Sequence, residues 1–535
     1  MMARAGHNRG RTLVSATAVL ALLMTLTGLV RPNRLSDPRA ELATTINAIL
    51  DDPRLEGALV GVVVADAETG ERLYARAADQ RQLPASNMKL FTSAAALEVL
   101  GPDHRFTTTV ASTGVLRRGI LSSDLYLRGT GDPTLRAADL QQLANAVAEA
   151  GIRVVTGDLV IDDTFFDAVP LGTEWGWDDE PLRTAAQVTS VPVTPTGELD
   201  PGSLAVIVRP AATVGAAPTV TTDPPTGRVV IINRATTGAA GSATTLSVTR
   251  EHGTNHIVIT GSTPLGGAEV RRYTSLEHPS EVTADVFRTA LTQAGVRVIG
   301  DTVTGVATPP DVTVYATRES VPLIQLLPQF LKLSKNTVAE ILMKAMGRAA
   351  FDQGSWPAGR QAAAEALAAW GVDMAVTRIM DGSGLSRRNL IAPAQITALL
   401  LGVQDEPWFP AWYAALPIAG RDGTLAGRMR QTVAEGNVHA KTGTLTAVST
   451  LSGYVTNADG ERLVFSVMFN NYLSGAPTDL QDRIAVALAE YDPTPEDPAS
   501  RTAELTGDRY RPAAPQGRAG EVECSWIEEY DACAA

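Results

Sequence analysis

LPASNMKLFTSAAALEVLG, residues 83–101, is the stretch on which the fold turns. Leu, Phe, Ala and Val fill it beyond its first turn, so the helix it predicts is apolar on nearly every side and must lie inside protein. It stops at Gly101-Pro102, where Gly suits the left-handed residue that ends a helix and Pro cannot continue one. The one cation in the run is Lys89, three positions after Ser86. Residues i and i+3 share a helix face, so the two side chains can meet at the helix N-terminus. A serine beside an amine is a candidate nucleophile and base, provided the amine is neutral part of the time. Burial among apolar neighbours or a second cation nearby lowers a lysine pKa toward that range. The helix N–H groups and dipole would favour an oxyanion formed there. Serine is also a good N-cap and S-x-x-K recurs by chance, so the pair needs independent support.

Lysine usage supplies some. Of 45 Lys and Arg residues only five are Lys, at 89, 332, 335, 344 and 441. Arginine stays protonated under ordinary conditions whereas lysine can lose its proton, so a rare lysine marks a place where an amine is required. Lys89 and Lys441 stand apart from the other three. Lys441 opens HAKTGTL (439–445) ahead of a β-rich pair, TAVSTLSGYVTNADGERLVFSVMFNN (446–471), with Asn457-Ala458-Asp459-Gly460 as its turn. That places Lys441 on a strand, with Gly443 leaving the backbone open to close approach by an extended substrate. A strand edge and an ammonium suit a peptide carboxylate. His439 beside it reads as structural.

The chain as a whole has 535 residues, 44% hydrophobic and 19% charged, which is globular composition spread over about three domains. A net charge of −13 without a basic patch argues against nucleic acid and anionic lipid surfaces as partners. Residues 1–11 carry Arg4, Arg9 and Arg11, and an uncharged apolar run, TLVSATAVLALLMTLTGLV (12–30), follows. This is an export signal, cleaved or retained as a membrane anchor, which puts the protein outside the plasma membrane on the cell wall side. The two cysteines, Cys524 and Cys533, can close a small loop by a disulfide in that compartment. No metal or other cofactor is implied, since the six His residues show no ligand spacing.

Texture divides the rest. ALVGVVVADAETGERLYARAADQRQLP (58–84) reads as a hairpin before the Ser86 helix, and this hairpin and the late one can share one antiparallel sheet. Residues 110–310 turn rich in Thr, Val and Gly with many short strand-like runs. Two helices interrupt them, AADLQQLANAVAEAGI (137–152) and PSEVTADVFRTALTQAG (279–295). Residues 320–435 return to helical texture, notably VPLIQLLPQFLKLSKNTVAEILMKAMGRAA and AGRQAAAEALAAWG. Within the first of these, Ser334 and Asn336 flank Lys335, a pattern that alone could merely cap a helix.

Order gives these pieces their weight. S-x-x-K opening a helix, then S-x-N, then K-T-G before a hairpin resembles the motif set of penicillin-binding proteins and serine β-lactamases. The long spacing from Ser86 to Ser334, and the stretches LYLRGTGDPTL (125–135), GDLVIDDTFFD (157–167), DGSGLSRRNLI (381–391) and LPIAGRDGTL (416–425), resemble the penicillin-binding protein 4 type. These are class C low-molecular-mass D-alanyl-D-alanine carboxypeptidases and endopeptidases, and the likeness covers about residues 40–480. It implies an α/β (α+β) fold: a serine β-lactamase/transpeptidase-like domain, its antiparallel sheet flanked by helices, interrupted by a β-rich two-domain insertion. The expected divisions are 1–31 signal, 38–108 and 313–490 transpeptidase-like domain, 109–205 and 269–312 first inserted domain, 206–268 second inserted domain, and 491–535 a Pro-rich tail.

Carried across, the resemblance makes Ser86 the acylating nucleophile and Lys89 its base. Ser334 would pass a proton to the leaving D-alanine, Asn336 would bind the substrate amide and fix Lys89, and Lys441 would supply positive potential. Thr442, Gly443 and Thr444 would line the substrate, with the N–H groups of Ser86 and Thr444 as oxyanion hole. The expected partners are peptidoglycan stem peptides ending in D-Ala-D-Ala and β-lactam antibiotics. A β-lactamase-like hydrolase would share the acylation step but needs fast deacylation. A non-catalytic peptidoglycan-binding protein would not need Ser86, Lys89 and Lys441 together.

Overall fold

The computed structural model describes residues 37–494, so the expected signal, the Pro-rich tail beyond 494 and the Cys524–Cys533 pairing lie outside the described residues. A central five-stranded antiparallel sheet joins the two ends of the described chain. Its strands are β1 (Leu59–Asp66), β2 (Arg72–Arg76), β3 (His439–Leu445), β4 (Val448–Thr456) and β5 (Arg462–Asn470), in the order β2-β1-β5-β4-β3. The early and late hairpins thus meet through β1 and β5, with Val62 opposite Val467, and β3, carrying Lys441, is an edge strand.

The sheet is covered on both faces, which is why its strands read as apolar runs rather than alternating ones. Side chains one residue apart point to opposite faces. Val62, Val64, Leu451, Phe465 and Val467 face α1 (Pro38–Leu50) and the last described helix, α8 (Thr478–Ala489). Ala65, Tyr454, Val464 and Met468 face a larger helical core. That core is built on α2 (Met88–Val99), whose residues 88–97 are all buried, as the composition of the opening stretch demands. Around it lie α3 (Leu323–Lys332), α4 (Asn336–Phe351), α5 (Trp356–Ala369), α6 (Pro393–Gly402) and α7 (Phe409–Ala414). The run read as helical around Ser334 is two helices: the chain breaks between α3 and α4, and Ser334 sits in the break at φ +58°.

The chain leaves this domain along Thr107–Ser112 and re-enters along Thr313–Glu319, paired antiparallel to each other. These strands belong to a second five-stranded sheet, and the helices Ala137–Glu149 and Pro279–Gln293 pack against one another beside it. Farther out, Ser203–Arg209 pairs antiparallel with both Thr219–Asp223 and Val270–Ser275, and smaller sheets follow. One continuous apolar core runs from Val110 and Leu127 to Ile257 and Ile259.

The segment 163–202 connects the two regions across the helical face. Asp167 ion-pairs with the buried Lys344 on α4 at 2.7 Å, and Lys344 Nζ also lies 4.0 Å from the Trp356 ring centre. An ammonium there is compensated by a carboxylate, a carbonyl and an aromatic face, which makes its burial tolerable.

Candidate active site

Ser86 lies in a 3-10 turn, Ala85–Asn87, that runs directly into α2. Ala85 is held at φ +45°, a conformation an L-residue adopts only when its surroundings enforce it. The enforcement comes from the sheet. Asn470 on β5 accepts from Leu83 N at 2.8 Å, and Thr450 on β4 receives Asn87 Nδ2 at 2.6 Å while donating to Pro84 O at 2.9 Å. Gly443 on β3 presses against the same elbow: a Cβ there would stand 2.8 Å from Ser86 N, so any larger residue would push the edge strand off Ser86. Gly384, at φ +92°, closes the other side, where a Cβ would collide with Ala85 O.

Lys89 Nζ donates to Ser86 Oγ at 2.7 Å, to Asn336 Oδ1 at 2.5 Å and to Ser383 O at 3.0 Å, and its side chain is wholly buried. Across the cleft Lys441, also wholly buried, donates to Ser334 Oγ at 2.7 Å and to Thr442 O at 2.9 Å. Two serine–lysine pairs therefore face one cleft, each amine held away from water, where hydrogen bonds and charges act most strongly. The cleft is lined by Ser86, Thr184, Asn336, Leu385 and Thr444, among others. Thr442 turns its hydroxyl to Thr424 Oγ1 at 2.7 Å. The structure thus brings Ser86, Lys89, Ser334, Asn336, Lys441, Gly443 and Thr444 together around one groove. His439 stacks on Tyr413, ring centres 4.2 Å apart, and burial pushes its pKa down, consistent with a structural ring.

Several contacts of the site were not foreseen. Asn336 is oriented by its Nδ2, which donates to Thr184 O at 2.9 Å, an atom of the inserted segment. Lys335, between the two expected residues of its motif, ion-pairs with Glu198 and Asp200, each at 2.8 Å, and so fastens that segment to the wall of the cleft. Trp175 donates to Asp381 at 3.0 Å. The stretch 180–200 carries no periodic pattern that would have flagged it. Glu340 on α4 is fully buried beneath the loop 381–386. Its only sequence signal was an acid set in the apolar run TVAEILMKAMG.

The family model for D-Ala-D-Ala carboxypeptidase 3 (S13) matches residues 42–491. A D-alanyl-D-alanine carboxypeptidase of Actinomadura sp. (strain R39) is 44% identical over 539 residues, covering 98% of this chain and 97% of the relative. The D-alanyl-D-alanine carboxypeptidase DacB of Haemophilus influenzae is 28% identical over 78% of this chain and 87% of its own. The crystal structure of penicillin binding protein 4 (dacB) from Haemophilus influenzae superposes with a TM-score of 0.72 at 25% identity, covering 83% of this chain and 98% of that one.

Proposed function

The chain belongs to the D-Ala-D-Ala carboxypeptidase 3 (S13) family and is a serine-type D-Ala-D-Ala carboxypeptidase, and we propose that its chemistry runs through the two serine–lysine pairs of the cleft. The single observation that carries this reading is Lys89 Nζ at 2.7 Å from Ser86 Oγ while Lys441 Nζ stands 2.7 Å from Ser334 Oγ. The substrate is a peptidoglycan stem peptide ending in D-Ala-D-Ala. Lys89 takes the hydroxyl proton as Ser86 Oγ bonds to the carbonyl carbon of the penultimate D-alanine. The N–H groups of Ser86 and Thr444 receive the negative charge that develops on the carbonyl oxygen.

When the tetrahedral intermediate collapses, the C–N bond breaks and the terminal D-alanine leaves. Its nitrogen takes a proton from the Ser334 hydroxyl, which the Lys441 ammonium polarises, and the proton that Lys89 took from Ser86 restores Ser334. Asn336 holds the substrate amide and the Lys89 amine. Water then gives a proton to Lys89 as its oxygen bonds to the ester carbon, the C–O bond to Ser86 breaks, and Ser86 takes that proton back as the shortened peptide leaves with a free carboxylate. A β-lactam follows the same first step but has no amine that departs, so it remains on Ser86. The basic and then apolar residues 4–30 support export, and the enzyme works outside the cytoplasm on the wall. Endopeptidase cleavage of cross-links needs only a longer leaving amine and proceeds by the same steps.

The test is intact-mass analysis after exposure to a labelled penicillin, followed by mass spectrometry of muropeptides. One penicillin adduct and loss of a single D-alanine are expected, both abolished by Ser86→Ala. Release of monomers from cross-linked dimers reports the endopeptidase activity, and rapid nitrocefin turnover would indicate a β-lactamase instead. An adduct that survives Ser86→Ala overturns the assignment of the nucleophile.

A further inference from the structure

A neutral amine has two N–H donors and one lone pair, and which way the lone pair points decides whether Lys89 can take a proton from Ser86. Of the polar atoms that Lys89 Nζ meets, two accept only. One is Asn336 Oδ1, whose sister Nδ2 is committed to Thr184 O; the other is the backbone carbonyl of Ser383. With both N–H groups on those acceptors, the lone pair falls on the Ser86 hydroxyl. The direction of the Ser383 carbonyl is therefore part of the base.

What aims that carbonyl is a buried acid. Glu340 accepts from Ser383 N at 2.8 Å with one carboxylate oxygen, and from Gly382 N at 2.9 Å and Trp356 Nε1 at 2.8 Å with the other. On the far side Thr92, on α2 one turn after Lys89, donates to Gly382 O at 2.7 Å. The rest of the loop hangs from a second buried carboxylate, Asp381, which accepts from Gly384 N, Ser386 N and Asn389 Nδ2. Two buried carboxylates close enough to repel each other are a costly way to hold a loop unless its geometry matters.

We propose that Glu340 is a positioning residue for acylation: by gripping the N–H groups of Gly382 and Ser383 it aims the Ser383 carbonyl at Lys89 and so turns the amine lone pair onto Ser86. This rests on Lys89 acting as the base and deepens that reading. The charged groups around Glu340 are Asp381 on the loop, Lys344 one turn along α4 with its partner Asp167, and Arg360 on α5 near Asp381. Burial and the Asp381 charge push the Glu340 carboxyl up to about 7 against the pull of its donors. Protonation turns one of its oxygens into a donor facing N–H donors, which loosens the grip.

Glu340→Gln keeps the volume but sets an NH2 group against one of those donors. Displacement of a catalytic group by about 1 Å costs on the order of 10²-fold in rate, and a loss of that order is expected in the second-order rate of penicillin acylation. The acid limb of the pH–acylation profile should become shallower, since one ionisation is gone. In a Lys89→Met background the same exchange should leave the residual rate unchanged, because there is no amine left to orient. Thr92→Val, isosteric and acting on the loop from the opposite side, should cost acylation in the same Lys89-dependent way, and it serves if Glu340→Gln does not fold. Trp356→Phe removes the third donor but not the grip, so it should lower the thermal midpoint with acylation nearly kept. A folded Glu340→Gln or Thr92→Val enzyme that acylates at the normal rate, or loses as much in the Lys89→Met background, overturns the proposal. Normal acylation by Lys89→Met itself would instead overturn the reading of the base.

Discussion

Lys89→Arg asks whether the amine is present for its charge or for its proton. Arginine is the cation this chain uses almost everywhere else, and it cannot give up a proton in a protein. General-base catalysis is typically worth about 10²–10⁴-fold, which is about 3–5 kcal/mol on the acylation barrier, so the loss should be at least of that size. Packing adds to it: Lys89 Nζ sits among atoms at 2.5–3.0 Å, and a guanidinium must displace them. Overpacking of that kind costs roughly 1–3 kcal/mol, which thermal melting reads separately. Lys441→Arg controls for that, since Lys441 is as fully buried and needs chiefly to supply positive potential. It should keep at least about tenfold more acylation than Lys89→Arg. Lys89→Met removes the amine without excess volume and should match the loss in Lys89→Arg. The assay is the second-order rate of penicillin acylation in each variant, with folding followed by thermal melting. A folded Lys89→Met enzyme that acylates within about tenfold of the parent would refute general-base catalysis by this lysine.

Lys335→Met should weaken the fastening of the inserted segment, because Glu198 and Asp200 lose the cation they share at 2.8 Å and keep only the longer pairing of Asp200 with Arg183 at 3.3 Å among the described contacts. Breaking such a pair typically costs about 3–5 kcal/mol, read as a lower thermal midpoint, with slower acylation because Asn336 loses its setting. Burial raises the Glu198 pKa, but the Lys335 charge and hydrogen bond prevail and hold it below the usual range. That stabilisation is present above the ordinary carboxylate pKa and lost as pH falls through the depressed one. The variant's deficit should therefore shrink in acid, and a deficit that does not change with pH would refute the assignment. Glu340 has the opposite sign. Its carboxyl, raised from 4.5 to about 7, lowers stability increasingly as pH rises through that window, by up to about 3 kcal/mol. Relative to the parent, Glu340→Gln should gain thermal stability as pH rises from acid to neutral, and a pH-independent difference would count against a buried, titrating Glu340.

The sequence alone determined what depends on short spacing. Ser86 and Lys89 meet because i and i+3 always share a helix face, and the apolar run around them required a buried helix whatever surrounded it. The two hairpins were legible from strand runs and turns, and the inserted region from its change of texture. The scarcity of lysine was informative beyond the two sites it singled out. Lys332 reaches Asp422, Lys335 reaches Glu198 and Asp200, and Lys344 reaches Asp167, so each of the five amines has a specific contact. Scarcity marks a need for a compact amine, and only Lys89 and Lys441 among the five turn it to a serine.

Tertiary structure decided the rest, because it depends on groups far apart in the chain. Lys441 could be placed on a strand, but its burial against Ser334 follows from β3 being the sheet edge beside the break between α3 and α4. Thr184, Glu198 and Asp200 lie in a stretch with no period to read, and they reach the site only because segment 163–202 is laid across the helical face. Glu340 looked like an acid misplaced in an apolar helix. The loop 381–386 folded over it, presenting two backbone N–H groups, and Trp356 on α5 give that buried charge its partners.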